Sequence, residues 1–272
     1  MDNLNILIIG YGTVGQNLYK TIRSLEPEIY DKYTRLDNRR KKYLPYKDEK
    51  NPDVKVMKMQ FPVYDIAFIC VDTPLGEDGR LDTTEVVNAL KEHEAKIFVI
   101  KSTCPINTTF FWATKTGKHI VYSPEYYGGT QHCNNFDFNF TILGGEKEDC
   151  IKVQQVLQNC YDARHTFHIT DSHTAELVKF MENSWIATKV SFCTQFYDIA
   201  KANNISYEEL RELFILDPRV NPSHTFVYSD HPYWESHCLD KDVPHIANSE
   251  DSANLLRDII KFNNDMKDSY KE

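Results

Sequence analysis

The sequence predicts an α/β fold: a doubly wound sheet followed by an all-α domain built on a long central helix. Three observations carry this expectation. Short apolar runs alternate with helical stretches up to about residue 170. A glycine cluster, Gly10-Tyr11-Gly12-Thr13-Val14-Gly15, joins the first apolar run to the first helical stretch. From Ser172 to Asn203 there is neither Gly nor Pro, and apolar residues recur at helical spacing. Two domains are expected, residues 1–170 and residues 171–272.

Taken in order, the strand candidates are Asn5–Ile9, Glu28–Asp31, Val54–Met57, Tyr64–Val71, Lys96–Ile100, His119–Tyr122, Phe140–Leu143 and Thr166–Ile169. Several lack polar alternation, as expected of strands buried on both faces of a parallel sheet. Helical stretches fall at Val14–Ser24, Thr83–Glu94 and Lys147–Asn159. Beyond Asp171 the apolar positions Leu177, Phe180, Met181, Trp185, Ile186, Val190, Cys193, Tyr197 and Ala200 mark one long helix. Asp171 or Ser172 would cap it, with Glu176 in its first turns. At 1.5 Å per residue such a helix spans about 45 Å, so it is expected to join domains or form an oligomer face. A shorter helix at Tyr207–Ile215 follows, then a polar loop from Asp217 to Cys238 and a helical tail at Ser249–Lys271.

Bulk properties narrow the function classes. With 272 residues, 41% hydrophobic and 26% charged, the chain has ample material for a buried core. No apolar run reaches membrane-spanning length, and the N-terminus leads straight into a strand, so a cytoplasmic protein without a signal peptide is expected. A formal charge of −9 argues against nucleic acid as a partner. The seven cysteines lack paired spacing, which points to reduced thiols. With no Cys-x-x-Cys pair and no His cluster, no metal site is expected.

The glycine cluster has the context that gives it mechanism. Gly10 permits a tight turn, Gly12 lets the backbone approach a pyrophosphate, and Gly15 allows close helix–strand packing. The helix N-terminus adds amide donors, with Thr13 and Val14 at its opening. An acidic residue about 20 positions on binds the ribose hydroxyls in such sites. Asp31 fits that spacing, with Asp37 as the second choice. NAD is the expected cofactor. The nearby Arg35, Arg39, Arg40, Lys41 and Lys42 are either a solvated face or a seat for the 2′-phosphate of NADP.

Three more polar clusters fall at the C-terminal ends of strands, where open α/β sheets hold ligands. They are Cys70-Val71-Asp72-Thr73-Pro74, Lys101-Ser102-Thr103-Cys104-Pro105 and Ser123-Pro124-Glu125. Far downstream stands Cys238, with Lys241 and Asp242 in a Cys-x-x-Lys-Asp arrangement. His237 and Lys241 beside Cys238 would raise its thiolate fraction.

These motifs, with Ala175-Glu176-Leu177-Val178-Lys179 through Asn183 and Asp217-Pro218-Arg219, follow one order along the chain. That order resembles the UDP-glucose/GDP-mannose dehydrogenases, the nucleotide-sugar 6-dehydrogenases. The resemblance implies a Rossmann-like NAD-binding domain, a central helical domain that dimerises, and a role in polysaccharide biosynthesis. It implies two successive oxidations of a sugar C6 alcohol, with Cys238 as the nucleophile of a thiohemiacetal and thioester. Lys179 and Asn183 would stabilise the oxyanion, Asp242 would act with water as base, and Thr103 and Glu125 would position water. Glu125, Lys179, Asn183 and Arg219 would contact the nucleotide-sugar substrate, Arg219 in the neighbouring subunit. Thr73, Pro74, Ser102, Thr103 and Lys241 would join Gly10–Gly15 and Asp31 around the cofactor.

The chain also departs from the family pattern. The glycine-rich loop before the cysteine is replaced by Tyr233-Trp234-Glu235-Ser236-His237, and the proline after it by Asp240. Bulkier residues there are expected to reshape the pocket. Tyr126-Tyr127-Gly128-Gly129 follows Ser-Pro-Glu, where the family carries a further glutamate. A short form lacking the third, UDP-binding domain is expected, since the chain stops at Glu272. Two alternatives to a nucleotide-sugar dehydrogenase stay open: a non-catalytic NAD-binding scaffold of this descent, and a dehydrogenase for a smaller substrate.

Overall fold

The protein is described here from a computed structural model, which describes residues 4–31, 63–126 and 138–270, and the backbone of 34–37 and 42–45. The expected strand at Val54–Met57, the side chains of Arg35 to Lys42, and Tyr127 to Gly129 lie outside these residues. The chain folds as two compact units, Met1–Pro74 with Asp82–Lys179, and Leu75–Leu81 with Phe180–Glu272.

The first unit is built on a sheet. Strand β1 (Ile6–Ile9) leads into helix α1 (Thr13–Ile22), and β2 (Glu28–Tyr30) follows. Next come β3 (Thr34–Asp37), β4 (Lys42–Pro45) and β5 (Tyr64–Ile69). Helix α2 (Thr84–Glu92), β6 (Ala95–Ile100), α3 (Thr108–Thr116) and β7 (Ile120–Tyr122) continue the alternation. Strand β8 (Phe140–Gly144), α4 (Lys147–Leu157) and β9 (Thr166–Thr170) complete it. The strand order is β4-β3-β2-β1-β5-β6-β7-β8-β9. Strands β2, β1, β5, β6 and β7 are parallel, so their C-terminal ends share one edge. Strand β8 runs against β7 and parallel to β9, while β3 and β4 pair antiparallel beyond β2.

Alternate residues of the central strands enter opposite cores. Ile6, Ile8, Ile66, Phe68 and Val99 pack into one, and Leu7, Ile9, Ala67, Ile69, Phe98 and Ile100 into the other. Burial of both faces is the reason these runs are continuously apolar.

Helix α3 is absent from the sequence expectation. Its Thr, Phe and Trp residues have weak helix propensity, and its cap is remote in sequence. Helix α5 (Ser172–Ala202) supplies that cap through Glu176. The Glu176 carboxylate accepts the N–H groups of Asn107 at 2.6 Å and Thr109 at 2.8 Å. Asn107 itself sits at φ +77. The same end of α5 lies so close to the sheet that a Cβ on Gly144 would fall 2.3 Å from that of Ala175 and 2.8 Å from the Asp171 carbonyl.

The second unit contains the rest of α5, α6 (Tyr207–Phe214), α7 (Leu239–Ser249) and α8 (Asn254–Ser269). Ala187, Trp234, Leu239, Val243 and Ile259 form one of its cores, and Cys193, Ala200 and Tyr207 form another. Helix α7 was also not expected. Its buried face carries Lys241, Asp242 and His245 among the apolar residues, which hides the helical period, and Pro244 lies inside it. The tail helix begins at Asn254 rather than Ser249, because α7 ends there. The Arg257 guanidinium closes the intervening turn on the carbonyls of Ala247 at 2.7 Å and Asp251 at 2.7 Å.

Two predictions follow from the packing of the first unit. Glu176→Ala leaves the Asn107 and Thr109 amides without their acceptor and is expected to lower stability by about 2 kcal/mol. Denaturant midpoints measure the loss, and amide exchange at Thr109 should accelerate with it. The second concerns His93, which is buried against the Tyr30 ring and whose imidazole is held down to about 4 by burial. An unfolded chain takes up that proton near the ordinary value of about 6.5, so protonation favours unfolding. The contribution is present above that pH and drains away as pH falls towards the folded value, by on the order of 3 kcal/mol. His93→Leu should flatten the stability curve over this window; equal slopes in both proteins would exclude the assignment.

Candidate active site

In the first unit the glycine cluster takes the geometry of a phosphate cradle. Gly10 has φ +92, and a Cβ there would lie 2.6 Å from the Cys70 carbonyl oxygen. A Cβ on Gly15 would lie 2.1 Å from the Gly10 carbonyl oxygen, so both glycines are forced by close approach. Around Gly12 the space is open, with nothing within 4 Å of an added Cβ, and α1 opens directly from it without a side-chain cap. These features suit a bound pyrophosphate. Asp31, at the end of β2, accepts the Tyr11 N–H at 2.9 Å, which ties the acidic residue to the loop. Strand β1 has β2 on one side and β5 on the other, so the loop emerges where the strand order reverses.

The ends of β5, β6 and β7 are linked by hydrogen bonds. The Thr73 hydroxyl donates to the Thr103 carbonyl at 2.8 Å, and the Ser102 hydroxyl to the Val71 carbonyl at 2.6 Å. Pro74 follows Thr73 at the same edge. Buried Lys101 lies 3.2 Å from the Ser123 hydroxyl and 3.4 Å from the Glu125 carboxylate. The sequence singled out this lysine only as part of a cluster; a lysine at the end of an otherwise apolar strand was the available signal. Burial pushes the Cys70 thiol up to about 12, which leaves it a packing residue. Lys179 lies over the Tyr126 ring, 4.9 Å from its centroid.

The second unit carries its own polar cluster. Asp242 is fully buried, at 0% exposure. One of its oxygens accepts from the Asn183 amide at 2.6 Å and the other from the Lys241 ammonium at 2.7 Å. Cys238 stands half-buried where α7 begins, and its carbonyl accepts the Asp242 N–H at 2.9 Å. The sequence placed Asn183 and Asp242 in separate motifs; the fold bonds them directly across 59 residues. His245 was missed. Its Nδ1 accepts the Leu81 N–H at 3.2 Å, and burial lowers its affinity for protons. Arg219 is 89% exposed in its side chain, and its hydrogen bonds all run to Asp217 rather than to this cluster. Among the described residues no group of His, Cys, Asp and Glu could hold a metal ion, and no helix is long and apolar enough to cross a membrane.

Comparison with known proteins gives these clusters a lineage. The NAD binding domain of the UDP-glucose/GDP-mannose dehydrogenase family matches residues 46–164, and the central domain of that family matches residues 173–267. The chain belongs to this family. Residues 173–267 include Lys179, Asn183, Arg219, Cys238, Lys241 and Asp242. The glycine cluster and Asp31 precede the first match and stand on their own geometry.

A UDP-N-acetyl-D-mannosamine dehydrogenase of Methanocaldococcus jannaschii is 28% identical over 216 residues, 74% of this chain and 49% of its own length. A UDP-glucose 6-dehydrogenase of Rickettsia prowazekii is 25% identical over 220 residues, 75% of this chain and 50% of its own. The chain thus spans about half the length of the curated relatives it matches. A solved UDP-glucose dehydrogenase from Pyrobaculum islandicum shares the fold, with a TM-score of 0.74 at 18% identity over 97% of this chain and 68% of that one.

The Lys101–Glu125 pair offers a direct test of the first cluster. Lys101→Met removes the ammonium beside a mostly buried carboxylate and is expected to cost about 3 kcal/mol in a denaturant titration. A loss below about 1 kcal/mol would mean that Glu125 is solvated like a surface acid.

Proposed function

We propose that the protein is an NAD-dependent nucleotide-sugar 6-dehydrogenase of the UDP-glucose 6-dehydrogenase type, oxidising a sugar C6 alcohol to a carboxylate. The observation that carries the reading is the buried Asn183–Asp242–Lys241 network at the turn that presents Cys238. Residues 1–170 are read as the NAD-binding domain and 171–272 as the helical domain. In this reading Gly10, Gly12, Thr13, Val14, Gly15 and Asp31 hold the pyrophosphate and ribose, with Thr73, Pro74, Ser102, Thr103 and Lys241 beside them. Bound NAD supplies the hydride acceptor.

The residues of the chain divide the chemistry. In the first oxidation the alcohol loses a hydride, and its proton passes to water positioned by Thr103 and Glu125. The Cys238 thiolate then adds to the aldehyde carbon, forming a thiohemiacetal. Loss of a second hydride gives a thioester, and water assisted by Asp242 releases the carboxylate and restores the thiol. Lys179 and Asn183 stabilise the oxyanion of the addition, and Arg219 contacts the sugar. A homodimer through α5 is supported by the exposed apolar side chains Met181, Trp185, Phe192 and Phe196 on that helix. A cytoplasmic setting completes the reading.

NADH formation with UDP-glucose, UDP-N-acetylmannosamine and GDP-mannose tests it. Two NADH per sugar are expected from the native chain. Cys238→Ser should lower turnover by about 100-fold or more. Equal rates in both proteins would remove Cys238 from the chemistry, and silence across the panel would overturn the reading.

A further inference from the structure

The turn that presents Cys238 departs most from the family pattern, and the departing residues bond to one another. The Ser236 N–H donates to the Asp240 carboxylate at 2.8 Å, and the Asp240 N–H donates back to the Ser236 carbonyl at 3.0 Å. The Ser236 hydroxyl accepts the Leu239 N–H at 3.0 Å. This is a reciprocal cap across five residues, with Cys238 at its middle. A proline at position 240 would supply neither the N–H nor the carboxylate.

The cap is anchored from behind. Lys267 on α8 donates to the other Asp240 oxygen at 3.0 Å. Trp234, just upstream, is held at both backbone groups. Its N–H donates to the Asn263 side-chain oxygen at 2.9 Å, and its carbonyl accepts from the Asn263 amide at 3.0 Å. The Trp234 indole N–H donates to the Ser191 hydroxyl on α5 at 3.0 Å. The segment that stands where the family carries a glycine-rich loop is therefore fixed to two helices of its own unit.

We infer that Ser236 and Asp240 are positioning residues that hold Cys238 at the N-cap position of α7. The inference rests on the reading of Cys238 as the nucleophile. A thiolate at the opening of a helix gains from the amide end of the helix dipole, provided the first turn is ordered. Ser236 and Asp240 supply that order, and the side chains bonded to them keep it when a substrate enters.

The test is the pH dependence of Cys238 alkylation by iodoacetamide, read on the Cys238 peptide by mass spectrometry. The midpoint reports the electrostatic setting of the thiol, and the plateau at high pH reports access. Ser236→Ala should move the midpoint upward by about half a pH unit, and Ser236→Thr should restore it. Asp240→Ala and Asp240→Asn remove the same charge, but Asn keeps an acceptor for the Ser236 N–H. The alanine variant should therefore titrate higher than the asparagine variant by a similar amount, a comparison that stands if Ser236→Ala fails to fold. A native profile in Ser236→Ala, or identical profiles in the two Asp240 variants, would overturn the inference. NADH formation is scored separately. Shifted midpoints in a chain that reduces no NAD would defeat the dehydrogenase reading and leave the positioning intact, whereas turnover with unshifted midpoints would do the reverse.

Discussion

Glu176 accepts two backbone N–H groups at the start of α3, and through them it fixes the register of α5 against the sheet. Glu176 is at 0% exposure, and the desolvation it suffers is offset by those amides, by the dipole of the helix it caps and by the nearby Thr109 and His173 side chains. Burial still raises its proton affinity above the ordinary carboxylate value. The close seat of Ala175 on Gly144 belongs to the same corner: a larger residue at either position would lift α5 away from β8. Lys179 lies three residues beyond Glu176, and its contact with Tyr126 follows from that register. One buried acid thereby couples the β6 end, the helix after it and Lys179 of α5.

Asp242 plays a comparable part in the second unit. A buried carboxylate is tolerated when both oxygens are bonded to well-placed donors. Asn183 and Lys241 meet that need, one from α5 and one from the same turn of α7. The cluster fixes Asn183, Lys241 and Asp242 to one another while keeping them out of water. Its geometry also depends on α7 starting where it does, which the Ser236–Asp240 cap and the Trp234–Asn263 bonds secure. The acidic and bulky residues that replace the glycine-rich loop are thus parts of a stiff turn.

Much of the architecture was legible in the chain. The central strands announced themselves because burial on both faces demands apolar residues at every position. Gly10 and Gly15 were readable because any Cβ at these positions would fall 2.6 and 2.1 Å from backbone oxygens, which no side chain tolerates. Helices α3 and α7 were not readable, for opposite reasons. Helix α3 depends on a cap 69 residues away from Asn107, and α7 hides its period by burying polar groups that bond to Asn183, to the Leu81 N–H and to one another.

Which residues are chemically equipped can be read from the chain alone: a cysteine, lysines, carboxylates and a glycine loop in an order that resembles one family. The layering can be read there too, because apolar periodicity is a local property of the chain. The partners of those residues were set by packing. That Asp242 bonds Asn183, that Lys101 pairs with Glu125, and that Asp240 caps Ser236 while holding Lys267 are outcomes of where helices and strand ends come to rest. Hydrogen bonds act over about 3 Å, and the spacing of residues along a chain carries no record of which distant group will come within that distance.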